Sequence, residues 1–311
     1  MSPATAHRYR HEAFFYEGRD DFMAGVVAFV REGAAAGEPV LVVLAADKLR
    51  ALDDALGDDA DGVLFADMAE VGANPARIIP AWRDFLDVHA KGGRPVRGVG
   101  EPIWAGRSAD ELAECERHEA LLNLAFDDPD FWLLCPYDTT TLPAGVIAEA
   151  RRNHPYVSDL AGSSVSADFP GTDELAEPYA RQLPEPPADA VVRGFDRTTL
   201  AEVRALVARH AEATGLRPGD AADLALTANE LAANSIRHGG GRGTLLLWRA
   251  PSAIVCEVRD HGRIRDPLAG RVRPSWTREG GRGLWMANQL CDLVQIRDLP
   301  HGTAVRVHKR L

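Results

Sequence analysis

Repeated prolines divide this chain into two parts. They are concentrated in residues 168–178 and 183–187, and because proline fixes φ and lacks an N–H, neither a helix nor a sheet continues through such a segment. The 311 residues also exceed the length of a typical single domain. We therefore predict a first domain over residues 8–165, a semi-rigid linker over 166–194 and a second domain over 195–311.

The two parts carry opposite net charge. Residues 1–194 hold 17 Lys and Arg against 34 Asp and Glu, whereas residues 195–311 hold 18 against 12. An acidic first part should repel nucleic acid, and a mildly basic second part suits an anionic ligand or an acidic partner. No predicted helix of the second part collects its basic residues on one face, so we expect no direct contact with nucleic acid.

Hydropathy gives no sign of a membrane segment. The longest apolar stretch, residues 39–46, is far shorter than the ~20 residues that cross a bilayer, and it predicts a buried strand instead. The first residues lack the apolar region of a secretory signal. We expect a cytoplasmic protein with no membrane partner.

The four cysteines are far apart in sequence. Cys115, Cys135, Cys256 and Cys291 form no C-x-x-C pair, which argues against a zinc site or a thioredoxin-like dithiol. Cys135 and Cys256 lie in apolar runs, so the pattern predicts reduced core thiols.

The first domain alternates strand-like and helix-like segments. The apolar residues 13–16 precede a charged turn at 17–21, a helical segment that reaches Ala36 and a strand over 40–44. This order predicts a parallel α/β domain and resembles the first unit of a RecA-like P-loop domain. The motif G-x-x-x-x-G-K-[ST] is absent, and Asp20 and Asp21 in its place would repel a triphosphate. We therefore expect no functional P-loop in this half.

Residues 100–106, the helix-like 110–119 and the strand-like 131–138 complete that pattern. Over roughly residues 8–160 the ordered segments resemble the MEDS sensory domain, named for a methanogen and methylotroph regulator. The resemblance implies that the domain senses an unknown small ligand. An alternative is that Trp104 is a core residue and that the helical glutamates form a solvated face. The candidate ligand-facing residues are Glu101, Trp104, Glu116, His118 and Glu119.

In the second domain, helical periodicity runs from Thr199 to Thr214 and resumes after a break at residues 217–220, with Asp220 as the expected cap. In the second helix, Glu230 and Asn234 are four residues apart and share one face. The amide oxygen of asparagine suits Mg²⁺, and a carboxylate can accept a proton from an attacking hydroxyl. Taken alone, such a pair more often lies on an exposed helix face.

Further polar positions follow in a fixed order. A predicted hairpin over 243–248 and 253–259 leads to Asp260, His261 and Gly262, residues 280–284 read G-G-R-G-L at the start of a helix, and Thr303 lies in the last strand. Glycines at a helix N-terminus let backbone amides approach an anion, which the helix dipole also favours. A carboxylate at the end of a strand can receive the amino group of adenine.

Together these motifs resemble the four boxes of the GHKL, or Bergerat-fold, ATPases, and within them the anti-sigma-factor serine/threonine kinases. The resemblance covers residues 195–311 and implies an α/β sandwich that binds ATP and Mg²⁺. It assigns Asn234 to the metal, Glu230 to the catalytic base, and Asp260 with Thr303 to adenine. Arg282 or Arg278 would belong to the lid. The remaining residues expected to hold nucleotide are Gly262, Gly281, Gly283 and Leu284.

The second box departs from the pattern. It commonly reads D-x-G-x-G, but its final position here is Ile264, which puts catalysis in doubt more than binding.

Three classes of function follow. The first is an anti-sigma kinase that phosphorylates an anti-anti-sigma (STAS-type) protein under control of the sensory domain. The second is a nucleotide-dependent module that sequesters a sigma factor or another partner without phosphorylating it. The third, a sensor histidine kinase that uses His118, is disfavoured because no long dimerisation helix precedes the ATP module. A homodimer is compatible with all three.

Overall fold

The computed structural model describes residues 9–126, 129–172, 174, 182–274 and 281–311. The chain divides into two compact units, Met1–Ala176 and Glu177–Leu311. No helix within the described ranges is long and apolar enough to cross a membrane.

The first unit is built around one mostly parallel sheet. Among its described residues the strand order is β3-β2-β4-β5-β1-β6-β7, and every neighbouring pair is parallel except β6 with β7. The strands are β1 (Tyr9–Tyr16), β2 (Val40–Leu44), β3 (Val63–Asp67), β4 (Val96–Gly100), β5 (Phe131–Asp138), β6 (Tyr156–Asp159) and β7 (Gly162–Val165). The helices are α1 (Gly18–Ala35), α2 (Ala46–Leu56), α3 (Met68–Val71), α4 (Ile78–His89), α5 (Ala109–Ala125) and α6 (Ala144–Asn153), with short 3-10 helices at Gly57–Ala60, Pro75–Arg77 and Lys91–Gly93.

Side chains cover both faces of this sheet. On one face Val26 and Val30 of α1 pack against β2, whose sequence is apolar throughout, and against Val99 of β4. On the other face Trp82 of α4 lies against the glycines of β4, where a side chain at Gly98 would come within 2.8 Å of the indole ring. Burial on both faces explains why β2 is continuously apolar rather than alternating.

The charged segment after β1 differs from the sequence-based expectation. Residues 17–21 form no separate turn, because α1 begins at Gly18 and contains Asp20 and Asp21 in its first turn. Carboxylates are favourable there because they face the positive end of the helix dipole. The Glu17 amide also donates to Asp21 Oδ2 over 3.3 Å. The predicted α/β alternation is otherwise confirmed.

The second unit has a five-stranded antiparallel sheet in the order β11-β12-β10-β9-β8, again among the described residues. Three helices pack on one face of it, and they share a single apolar core with the inward side chains of the strands. The strands are β8 (Val191–Asp196), β9 (Arg242–Arg249), β10 (Ala253–Asp260), β11 (Leu293–Leu299) and β12 (Gly302–Arg310), and the helices are α7 (Leu200–Ala213), α8 (Pro218–His238) and α9 (Arg282–Leu290).

Two details of the second unit correct the sequence analysis. Arg217, not Asp220, is the N-cap residue of α8, because Pro218 occupies the first helical position that suits proline. Asp220 lies in the first turn instead and accepts a hydrogen bond from Arg217 Nε at 2.7 Å. Strand β8 begins at Val191, within the segment predicted as linker, and the Pro184 carbonyl accepts from Arg306 Nη2 at 2.7 Å.

Candidate functional site

Helix α8 presents two faces with different roles. Leu224, Ala228 and Leu231 enter the apolar core, and this packing fixes how the helix is rotated about its axis. Glu230 and Asn234 are thereby placed one turn apart on the wall of a cavity of about 570 Å³. Both side chains are partly exposed, so they can contact a bound molecule.

The Asp260 carboxylate, at the end of β10, lines the same cavity. Its Oδ2 accepts a hydrogen bond from Ser235 Oγ at 2.6 Å, and its Oδ1 accepts from the Gly262 amide at 2.7 Å. Because a carboxylate has about four lone-pair positions, it can still accept a further donor from a ligand. The carboxylate is therefore both fixed in position and able to bind.

Strand β12 pairs with β10 beside Asp260. Thr303 is the register partner of Asp260, and its hydroxyl donates to the Gly262 carbonyl at 2.8 Å. A side chain at Gly302 would collide with the Asp260 carbonyl oxygen, so only glycine allows β12 to approach this closely. Thr303 supports the turn that holds Asp260 rather than the carboxylate itself.

The N-terminus of α9 forms another wall. Gly281 is its N-cap residue, with φ of 80°, and Arg282 is exposed at the first helical position. A side chain at Gly283 would come within 2.6 Å of Asn234 Nδ2, which shows how closely α9 packs against α8. Gly280 and Arg278 lie outside the described residues.

All nine nucleotide-site residues expected from the sequence line this one cavity: Glu230, Asn234, Asp260, Gly262, Gly281, Arg282, Gly283, Leu284 and Thr303. They come from two helices, two strands and the segment after β10. The volume of the cavity is within the range of sites that bind small molecules. This pocket thus combines the Asp260 carboxylate, a glycine-rich helix start, and the adjacent side chains of Glu230 and Asn234.

Ile264 has a structural role in this pocket. It lines the cavity, and together with Leu284 it packs against the apolar core while remaining partly exposed. The position that is glycine in the common form of the second box is therefore an apolar contact here, which restrains the segment that follows Gly262.

The sequence analysis missed Ser235. Ser235 is buried on the core-facing side of α8, and its hydroxyl donates to Asp260, 25 residues further along the chain. The available signal was a hydroxyl residue directly after Asn234 in the sequence.

In the first unit the candidate sensory residues contact different partners. Lys48 Nζ contacts both carboxylate oxygens of Glu101 at 2.6 Å, and the Tyr16 hydroxyl donates to the same group at 2.7 Å. Burial raises the pKa of Glu101, whereas the Lys48 ammonium opposes that rise. Tyr16 and Lys48 also line a cavity of about 220 Å³.

The other candidates have different surroundings. The Arg107 guanidinium lies 3.9 Å from the centre of the Trp104 ring, while Glu116 accepts from Asn153 Nδ2 through its backbone carbonyl at 3.2 Å. His118 is 1% exposed, which argues against it as a phosphorylation site. Glu119 is fully buried and lies 3.1 Å from His11.

Comparison with known protein families finds one match in each of the two units. Residues 10–155 match the family described as the MEthanogen/methylotroph, DcmR Sensory domain (MEDS). Residues 195–309 match the histidine kinase-like ATPase domain. No curated protein matched the chain. The chain therefore consists of an N-terminal MEDS sensory domain followed by a C-terminal histidine kinase-like ATPase domain.

Proposed function

We propose that this protein is an anti-sigma factor that uses ATP and Mg²⁺ to phosphorylate a serine or threonine of an anti-anti-sigma partner. A sensory domain joined to a kinase-like ATPase domain supports a regulatory role. The observation that carries the proposal is the single cavity in which Asp260 is held by Ser235 and Gly262, with Glu230 and Asn234 on the neighbouring helix.

The residues that line the cavity have the chemistry needed to bind a nucleotide together with Mg²⁺. The exposed start of α9 offers backbone amides to phosphate at the positive end of a helix dipole. Asn234 carries a neutral oxygen ligand of the kind that Mg²⁺ accepts, and bound Mg²⁺ would neutralise phosphate charge. Asp260, with lone pairs to spare, would accept from the amino group of adenine.

Glu230 is the proposed base. It lies one helical turn before Asn234 and lines the same cavity, so a hydroxyl that enters beside the phosphates can reach it. In phosphoryl transfer a protein contributes mainly position and electrostatic stabilisation, and a carboxylate orients the nucleophile and accepts its proton. The partner's serine or threonine would supply that hydroxyl.

Ile264 favours a second candidate, in which the module binds nucleotide and sequesters a sigma factor without phosphorylating anything. Its contact with the core restrains the segment after Gly262. If lid closure needs that segment to move, nucleotide can bind without completing a catalytic arrangement.

One experiment separates the two candidates. The full chain is captured with its partners from the native cell and incubated with radiolabelled ATP and Mg²⁺. We expect a partner to become labelled in an acid-stable form, as phosphoserine or phosphothreonine is. The label should be lost with Glu230→Gln. It should remain with the control Glu212→Gln, which changes an exposed glutamate of α7. Partner binding that depends on nucleotide without any transfer would support sequestration instead.

A further inference from the structure

Four buried side chains in the sensory domain meet at one point. They are His11 of β1, Glu119 of α5, Cys135 of β5 and His154, the residue after α6. Each is at most 1% exposed. Their nitrogen, oxygen and sulfur atoms all lie within 4.8 Å of one another.

The shortest separations have the dimensions of a metal coordination shell. Glu119 Oε2 lies 3.1 Å from His11 Nε2 and 3.3 Å from His154 Nε2, and Cys135 Sγ lies 3.5 Å from His11 Nε2. Around a tetrahedral zinc ion, with bonds of about 2.0 Å to nitrogen and oxygen and about 2.3 Å to sulfur, neighbouring ligand atoms are roughly 3.3–3.6 Å apart. A zinc ion would therefore need only small adjustments of these side chains.

The outer hydrogen bonds fix the tautomer of both imidazoles. His154 Nδ1 lies 2.7 Å from the Ala150 carbonyl oxygen, which can only accept, so Nδ1 carries the proton. His11 Nδ1 lies 3.1 Å from Asn123 Oδ1, and the orientation of that amide is set by its NH₂ group donating to the Asn153 carbonyl at 2.7 Å. Both neutral rings therefore present the lone pair of Nε2 to the centre, as metal-binding histidines do.

Without a cation this arrangement is unfavourable. Two nitrogen lone pairs face the Glu119 carboxylate, and among the described residues neither Glu119 Oε1 nor His154 Nε2 has a hydrogen-bond partner. A buried polar atom left without a partner is unfavourable, and more so when it is charged. A single added proton would satisfy one of the contacts between nitrogen and oxygen and leave the other unsatisfied.

The donor set also balances charge. A divalent ion bound by a thiolate, a carboxylate and two neutral imidazoles forms a neutral unit, which is the form that tolerates full burial. Sulfur and nitrogen donors suit zinc and similar transition metals, whereas Mg²⁺ and Ca²⁺ prefer oxygen donors. Four protein ligands leave no open position, which is the arrangement of a structural rather than a catalytic zinc site.

We propose that His11, Glu119, Cys135 and His154 bind one divalent transition-metal ion, with zinc preferred, inside the sensory domain. The ligands come from the first strand, a central strand, α5 and the end of α6. The ion would thus join segments that are far apart in sequence, and its binding would stabilise the folded domain. Glu119 would then be a metal ligand rather than a contact for a sensed molecule.

The test uses untagged full-length protein purified without chelators. We expect elemental analysis to give about one zinc per chain. After zinc is removed, cobalt titration should produce the visible bands of a tetrahedral site and a near-ultraviolet band from thiolate to cobalt. Adding zinc back should raise the midpoint temperature of the unfolding transition that occurs first on heating.

Two cysteine variants provide a matched pair. Cys135→Ser should abolish the thiolate-to-cobalt band and lower zinc affinity at least tenfold. Cys115→Ser should preserve both, because Cys115 is an equally buried thiol that donates to the Pro102 carbonyl instead. His154→Gln should also lower the affinity. The proposal is wrong if the wild type contains no stoichiometric metal and neither zinc nor cobalt changes its spectrum or melting, a result that does not depend on any variant folding. It is equally wrong if folded Cys135→Ser binds cobalt as the wild type does.

Discussion

Ser235 Oγ donates a 2.6 Å hydrogen bond to Asp260 Oδ2 and so links the last turn of α8 to the end of β10. Ser235→Ala would remove one of the two hydrogen bonds that the Asp260 carboxylate accepts from described residues, leaving that from the Gly262 amide. A hydrogen bond to a charged group corresponds to roughly 10–150-fold in affinity, but this one would act on ATP only through the position of Asp260. We therefore expect a smaller loss of ATP affinity than that, while the domain remains folded. Calorimetric titration with ATP, together with circular dichroism, would measure this, and unchanged affinity would show that the bond is not needed to position Asp260.

Asp260→Asn should have a larger effect on nucleotide binding. It removes the charge that is proposed to receive the adenine amino group and replaces one acceptor oxygen by a donor. A hydrogen bond to a charged group contributes about 1.5–3 kcal/mol, so the dissociation constant for ATP should rise roughly 10–150-fold. Asp189→Asn, at an exposed position, is the control. Equal affinities in the two folded variants would remove Asp260 from the site.

Substitutions of Glu230 and Asn234 should impair nucleotide binding and phosphoryl transfer differently. Glu230→Gln keeps the shape of the side chain but not its basicity, so nucleotide should still bind while phosphoryl transfer falls ~10²–10⁴-fold. Asn234→Ala removes the proposed metal ligand, so Mg²⁺-dependent nucleotide binding should weaken, and transfer with it. Binding and transfer assays on the same preparations would distinguish the roles. A robust transfer rate in Glu230→Gln would mean that another group is the base.

The full chain should bind one ATP. In the first unit, α1 begins two residues after β1, and its first turn carries Asp20 and Asp21 where a phosphate loop would need amides and a lysine. Calorimetry with Mg²⁺-ATP should therefore give a stoichiometry near one. A second site that survives Asp260→Asn would contradict our interpretation of the first unit.

Asp220 should make a pH-dependent contribution to stability. Lys309 Nζ, 3.0 Å away, together with Arg217, lowers the pKa of this carboxyl below 3.8. Its contribution to the free energy of unfolding is therefore fully present above pH 3.8 and is lost as the pH falls further. Asp220→Asn should cost at most about 1 kcal/mol at pH 7, because the pair is near the surface, and less at pH 3. Urea unfolding at both values would test this, and a larger cost at pH 3 would contradict it.

Much of the nucleotide pocket could be anticipated because its residues occur in short local patterns. Helical spacing places Glu230 with Asn234, and the strand-to-turn pattern marks Asp260. The structure brings them together around one cavity, while their binding roles remain predictions. Ser235 was missed because its partner lies on another element, and helical periodicity reports burial without showing what a buried hydroxyl contacts.

The metal-ligand cluster was missed for a similar reason. Spacing rules for zinc look for cysteines and histidines that are close in sequence, whereas His11 and Cys135 are neighbours because β1 and β5 pair in the sheet. The alternation of strands and helices predicted a parallel sheet, but it did not give the strand order. Without that order, the first strand could not be matched with its neighbours.

The central position of β1 has a consequence for biosynthesis. It is translated well before its neighbours in the sheet, which are residues 131–138 and 156–158. Its apolar residues Phe14, Phe15 and Tyr16 must therefore remain without their final partners until almost the whole domain has been translated. Such long-range pairing slows folding and leaves an apolar, aggregation-prone strand exposed on the nascent chain.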